Sequence, residues 1–189
     1  MNYLQEYKTV MINTYLNMLN LDLRKIFMFR YYVYIISILC SFSVVSAVGD
    51  LKISGAINST DATGSVLISK NEMSKFERAS IITTTPWTES NKKIHFEGVS
   101  LMRILKYVGA HGRVLKMHAL NDYTVDIPIQ DVQRYDILLA SSMDGKNLEV
   151  KNFGPYFIIY PLDTYKDEIN MPKYLSRFIW QVDEITVVK

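Results

Sequence analysis

An α+β fold, a mixed β-sheet domain with a few short helices, is what this chain predicts, and three observations lead there. Short runs rich in Val, Ile, Thr and aromatic residues recur from residue 52 to the C-terminus, bounded by Gly, Asn and Asp. Helical spacing of apolar residues is confined to brief stretches, of which the one after Ser100 is the clearest. Strands and helices do not alternate in a regular βαβ rhythm, so a doubly wound parallel sheet is not indicated. No internal repeat, low-complexity tract or interdomain linker divides residues 48–189, which suffice for one domain with its own core.

Residues 52–57 and 65–68 read as short strands separated by a turn-forming cluster at 58–64. Ser69 followed by Glu72 forms a capping box, which opens a short helix burying Met73 and Phe76. The β-branched run at 79–85 is a strand, and Pro86 ends it because proline has no N–H for the ladder. Ile94 and Phe96 alternate with His95 and Glu97, the mark of a half-buried strand. Leu101, Ile104, Leu105 and Val108 then fall at helical spacing and leave Arg103 and Lys106 in water; Gly109 supplies the left-handed stop. Residues 114–120 and 123–127 flank Asn121-Asp122 as a tight hairpin. Strands are also expected at 137–142, 148–151 and 156–160, with Asp144-Gly145 as a turn. Trp180, Val182, Ile185 and Val187 mark a last strand with one irregularity near Asp183-Glu184.

Composition is that of a globular protein, 49% hydrophobic and 21% charged, with a formal charge of only +2. That charge falls to near neutrality once residues 1–47 are set aside, and no clustered Lys/Arg run forms the basic stripe that a nucleic-acid binder needs. Residues 31–45 form an apolar run preceded by Arg24, Lys25 and Arg30 and followed by Val45-Ser46-Ala47. Basic flank, apolar stretch and small residues describe a secretory signal peptide cleaved after Ala47, and hence a periplasmic or secreted protein. Residues 1–27 read as extra length before a start at Met28. An uncleaved membrane tether is the alternative, although the run is short for about 30 Å of hydrocarbon and Ser37, Ser41 and Ser43 interrupt it. Cys40 is the chain's only cysteine, so cleavage leaves the domain at 48–189 without a thiol.

His95, His111 and His118 share no ligand spacing, and no Asp or Glu completes a zinc set around them, so no metal site is expected. His111 lies in the Gly109–Gly112 turn and is expected to be exposed. His118 reads as a hydrogen-bonded strand residue. Asn121 and Asp122 carry turn chemistry, since both bond their own backbone and tolerate the left-handed region. Thr83-Thr84-Thr85-Pro86-Trp87 reads as the end of a β-branched strand, with hydroxyls and an indole that suit a polar or anionic ligand. Lys173, Tyr174 and Arg177 read as a solvated basic turn.

Taken in order, the stretches Thr83-Thr84-Thr85-Pro86-Trp87, Phe96-Glu97-Gly98-Val99-Ser100-Leu101, Ala119-Leu120-Asn121-Asp122-Tyr123, Met143-Asp144-Gly145 and Gly154-Pro155 resemble the oxidoreductase molybdopterin-binding domain, the catalytic domain type of sulfite oxidases. The resemblance runs over about residues 51–189. It implies that the cysteine-bearing strand end and the Asp-Tyr corner face one pocket, with Thr84, Thr85, Trp87, Asn121, Asp122 and Tyr123 as the candidate binding residues. It also implies a basic residue near Arg177 for an anionic cofactor or substrate. In that family one cysteine thiolate holds the molybdenum, and here Thr84 to Pro86 stand in its place; a neutral alcohol is a hard donor and cannot replace a soft thiolate. The first expectation is therefore an exported, non-catalytic module without molybdenum that binds a small anionic or pterin-like ligand or an exported or membrane-protein partner. The alternatives are an oxidoreductase of the sulfite oxidase type that retains molybdopterin, and a scaffold with no ligand.

Overall fold

Alternation of buried and more exposed residues marks several strands of the computed structural model, which describes residues 10–14, 16, 18, 48–58, 61 and 64–189. In chain order they are β1 (Leu51–Gly55), β2 (Ser65–Ile68), β3 (Ala79–Thr83), β4 (Ile94–Ser100), β5 (Val114–Ala119), β6 (Thr124–Pro128), β7 (Leu138–Met143), β8 (Lys146–Asn147), β9 (Phe157–Ile159) and β10 (Val182–Val188). The helices are α1 (Lys70–Met73), α2 (Leu101–Tyr107), α3 (Ile129–Tyr135), α4 (Lys166–Ile169) and α5 (Pro172–Leu175). The chain divides into two compact units, Met1–Val45 and Ser46–Lys189, and all of these elements belong to the second. In the first unit the described residues are helical and exposed. The apolar run at 31–45, the cleavage motif and Cys40 lie outside the described residues, and no helix among the described residues is long and apolar enough to cross a membrane.

One sheet runs β2-β1-β10-β5-β6 and is mixed, because β1 pairs with β10 in parallel while its other pairs are antiparallel. The other runs β3-β4-β7-β8, with β9 added on β7, and is antiparallel throughout. Leu51, Ile53, Met117 and Ile185 from the first sheet join Phe96, Leu139 and Ile158 from the second in one buried cluster. Gly98 marks a close approach in that core: a Cβ there would strike the Leu139 carbonyl oxygen and the Ala140 Cα across the ladder.

The capping box forms in full, with Ser69 accepting from the Glu72 N–H and the Glu72 carboxylate accepting from the Ser69 N–H. Helix α2 buries Leu101, Ile104 and Leu105, with Val108 just beyond its end, and leaves Arg103 and Lys106 exposed, as their spacing predicts. Gly109 follows at φ 62°. The irregularity in the last strand is a register shift between Val182 and Glu184.

One expected strand is missing and three helices are unforeseen. Residues 148–151 form no strand: after the two-residue β8, Leu148 N–H bonds Ser141 O, and Asn152 and Gly154 N–H both close back on Glu149 O in a turn. Helices α3, α4 and α5 are absent from the sequence reading. For α3 a signal exists, since Pro128 immediately precedes it and Val132 and Tyr135 are buried three residues apart, after half-buried Ile129.

Candidate functional site

Beyond β3 a row of hydroxyls ties the chain down. The Thr83 hydroxyl accepts from the Asp163 N–H at 3.1 Å, and Thr84 donates its N–H and hydroxyl to the Asp163 carboxylate at 3.1 and 2.8 Å. The Thr85 hydroxyl then accepts from the N–H groups of Trp87 and Thr88 at 3.2 and 3.1 Å and pairs with the Thr88 hydroxyl at 2.9 Å. This turn is fixed by its own side chains, and it leaves the Trp87 residue 46% exposed. The indole meets Trp180 edge to face, with centroids 5.1 Å apart, and Trp180 in turn packs on Phe153 at 6.0 Å.

The opposite wall is the β5–β6 corner. Asp122 takes the left-handed conformation at φ 64°, its N–H bonds Ala119 O, and the Asn121 side-chain oxygen accepts from Tyr123 N–H at 3.2 Å. The Tyr123 hydroxyl reaches across to donate to Ser176 O at 3.3 Å. Between these walls lies a groove of about 450 Å³ lined by Pro86, Trp87, Asn121, Tyr123, Pro172, Leu175, Ser176, Phe178, Ile179 and Trp180. None of these side chains is charged. An adjoining cleft of about 300 Å³ shares Pro86 and Leu175 but is polar, with Thr84, Thr85, Thr88, Asn91, Asp163, Lys166 and Asn170 on its walls.

The structure thus brings Trp87, Asn121 and Tyr123 together in one groove. Thr84 and Thr85 line the neighbouring cleft instead, because Asp163 and the Thr88 turn draw their hydroxyls there. Asp122 lines neither: its side chain is 96% exposed and lies 3.6 Å from the His118 Nε2. Sequence reasoning missed Phe178, Ile179 and Trp180 as the groove's floor and Asp163 as the partner of Thr84. A third cavity of about 520 Å³, lined by residues including Lys70, Arg78, Ser141 and Tyr156, shares no residue with the groove. In it Tyr156 donates to Gly49 O at 2.7 Å, and burial pushes its phenol up to about 12.

Arg177 corrects the expectation of a solvated basic turn. It is buried, bonds the Asp131 carboxylate at 2.5 Å, and lies over the Tyr174 ring at 5.2 Å. Tyr160 adds a hydrogen bond to the same carboxylate at 3.1 Å, and burial holds its phenol far above the ordinary range. A guanidinium committed in this way is not available to an anionic ligand. His111 is exposed, as expected.

Molybdenum held by a protein ligand does not fit the described residues at this site. At Thr84 and Thr85, where the resemblance places the thiolate, the Thr84 hydroxyl is spent on Asp163 and that of Thr85 on its own turn. Both are hard neutral donors.

The family model for the oxidoreductase molybdopterin binding domain matches residues 51–179. Among solved structures, the sulfane dehydrogenase SoxCD of Paracoccus pantotrophus is similar in fold, with a TM-score of 0.54 and 15% identity. The likeness covers 74% of this chain and 38% of that one, so this chain spans well under half the length of its structural neighbour. No curated protein matches it.

Proposed function

Since the chain belongs to the oxidoreductase molybdopterin binding domain family, yet offers hydroxyls where that family's thiolate would stand, we propose that it is a ligand-binding module that works without molybdenum. The ligand class is a planar heteroaromatic ring of the pterin type, seated in the groove between Trp87 and Tyr123. The single observation that carries this reading is an uncharged aromatic groove in which an indole is kept nearly half-exposed by a turn built from threonine hydroxyls. Two half-exposed aromatic rings, Trp87 and Tyr123, lining one apolar groove form the kind of contiguous patch that marks a binding surface. Stacking on Trp87 would supply affinity, while Asn121 and the Ser176 carbonyl, together with the polar cleft beside them, supply the hydrogen bonds that fix orientation. The lack of a charged lining favours a neutral ring over an anion. The pterin-cofactor oxidoreductase reading lacks a thiolate ligand among the described residues, and the scaffold reading does not account for an apolar groove flanked by two exposed rings.

Titrating the protein with a free pterin, 6-hydroxymethylpterin, and following tryptophan quenching tests this proposal. Trp87→Ala is expected to weaken binding about tenfold or more through lost stacking. Tyr123→Phe, which gives up one hydrogen bond, is expected to weaken it about fivefold. Unchanged affinity in both variants would place the site elsewhere. Export enters the proposal from the signal-like pattern at residues 31–47, which suits a module that meets its ligand, and an exported or membrane-protein partner, outside the cytoplasm. An intact mass corresponding to a chain that starts at Val48 is the expected signature, and retention of the N-terminal residues would contradict it.

A further inference from the structure

An ionisable side chain stands between the last strand and the corner bearing Asn121 and Tyr123, beside the backbone bond from Leu120 N–H to Gln181 O. His118, on β5, holds Asp183 of β10 with its Nδ1 at 2.7 Å and faces Asp122 of the corner with its Nε2 at 3.6 Å. The register shift between Val182 and Glu184 makes this possible: Asp183 and Glu184 are both half-buried there, between buried Val182 and Ile185. A bulge re-aims a side chain in this way. His118 pairs with Glu184 on one side and Thr124 on the other. The charged groups around it are Asp183 and Glu184 from β10, Lys116 from its own strand, Asp126 from β6, Asp122 from the turn, and Lys52 of β1, which bonds Glu184 at 3.2 Å.

We propose that His118 is a pH-responsive positioning residue, which when protonated bridges Asp183 and Asp122 and so fixes the Asn121–Tyr123 wall of the groove. The two ring nitrogens have different fates on deprotonation. Nδ1 keeps its proton and its bond to Asp183, whereas Nε2 loses the proton that attracts Asp122, so the arm that lets go is the one holding the corner. The hydrogen bond to Asp183 raises the imidazole above its ordinary value of 6.5; burial opposes this, and the charges of Asp183, Asp122 and Glu184 add to it. For a raised histidine the clasp is complete below about pH 6.5 and is lost as pH rises through the folded value. Only the ligand-binding consequence rests on the function proposed above.

The test joins two measurements on the wild-type protein and on His118→Gln, an uncharged residue of similar reach, from about pH 5.5 to about pH 9. Backbone order parameters of Asp122 and Tyr123, measured without ligand, are expected to be high in the wild type at low pH and to fall along the His118 titration. In His118→Gln they are expected to be low throughout. Affinity for 6-hydroxymethylpterin, taken as the ratio of wild type to His118→Gln so that titration of the ligand cancels, is expected to fall about fivefold or more across the range. Order parameters that ignore both pH and the substitution would overturn the proposal, as would a ratio that stays constant with pH while the ligand binds. If the order parameters follow His118 but no pterin binds at any pH, the clasp stands and the ligand reading falls.

Discussion

Arg177→Met is expected to destabilise the domain by about 3–5 kcal/mol, a large part of the roughly 5–15 kcal/mol that holds a typical domain folded. The cost arises less from the lost attraction than from what remains. Asp131 would be left in a buried site without its cation, still bonded by the Tyr160 hydroxyl, and a buried carboxyl group that has lost its counter-charge is strongly disfavoured. Combining Arg177→Met with Asp131→Leu removes both charges and is expected to recover most of the loss, because well-packed apolar pairs replace buried ion pairs at little cost. Denaturant unfolding of the two single variants and the double measures this. A single-variant loss below about 1 kcal/mol, or strict additivity, would show that the pair is solvated in solution. Ser176 and Phe178, which flank Arg177, line the groove, so the single variant is also expected to bind ligand poorly where it is still folded.

Leu105→Ala is expected to cost about 2–5 kcal/mol. Leu105 is only 4% exposed, on the face of α2 that also buries Leu101 and Ile104, and a close-packed interior does not collapse fully onto a lost isopropyl group. The neighbouring exposed position gives the control: Lys106→Ala on the opposite face is expected to change stability by no more than about 0.5 kcal/mol. A loss at Leu105 under about 1 kcal/mol would mean that α2 is packed on another face.

Local patterns were the legible part of this fold. The alternation around His95, the spacing from Leu101 to Val108, the Ser69 capping box and the irregularity at Asp183 all depend on neighbours within a turn or two, and each is present. Strand ends were less legible. Residues 148–151 have strand-like composition, yet Glu149 closes a turn through two backbone bonds that no pattern announces. Long-range pairing decided the rest. Thr84 reads as a groove residue beside Trp87, but Asp163, 79 residues away, draws it into the neighbouring cleft. Arg177 reads as a surface cation until Asp131, 46 residues away, is known to lie beneath it. Asp122 sits between two groove residues in sequence, and the left-handed turn at that position sends its carboxylate toward His118 instead.

The central claim, a pterin-class ligand bound without molybdenum, is tested most directly by native mass spectrometry of the protein recovered from cells that make molybdenum cofactor. The account predicts one adduct of the mass of a free pterin, absent from Trp87→Ala and free of the molybdenum isotope pattern. Stoichiometric molybdenum on the wild-type protein would contradict it.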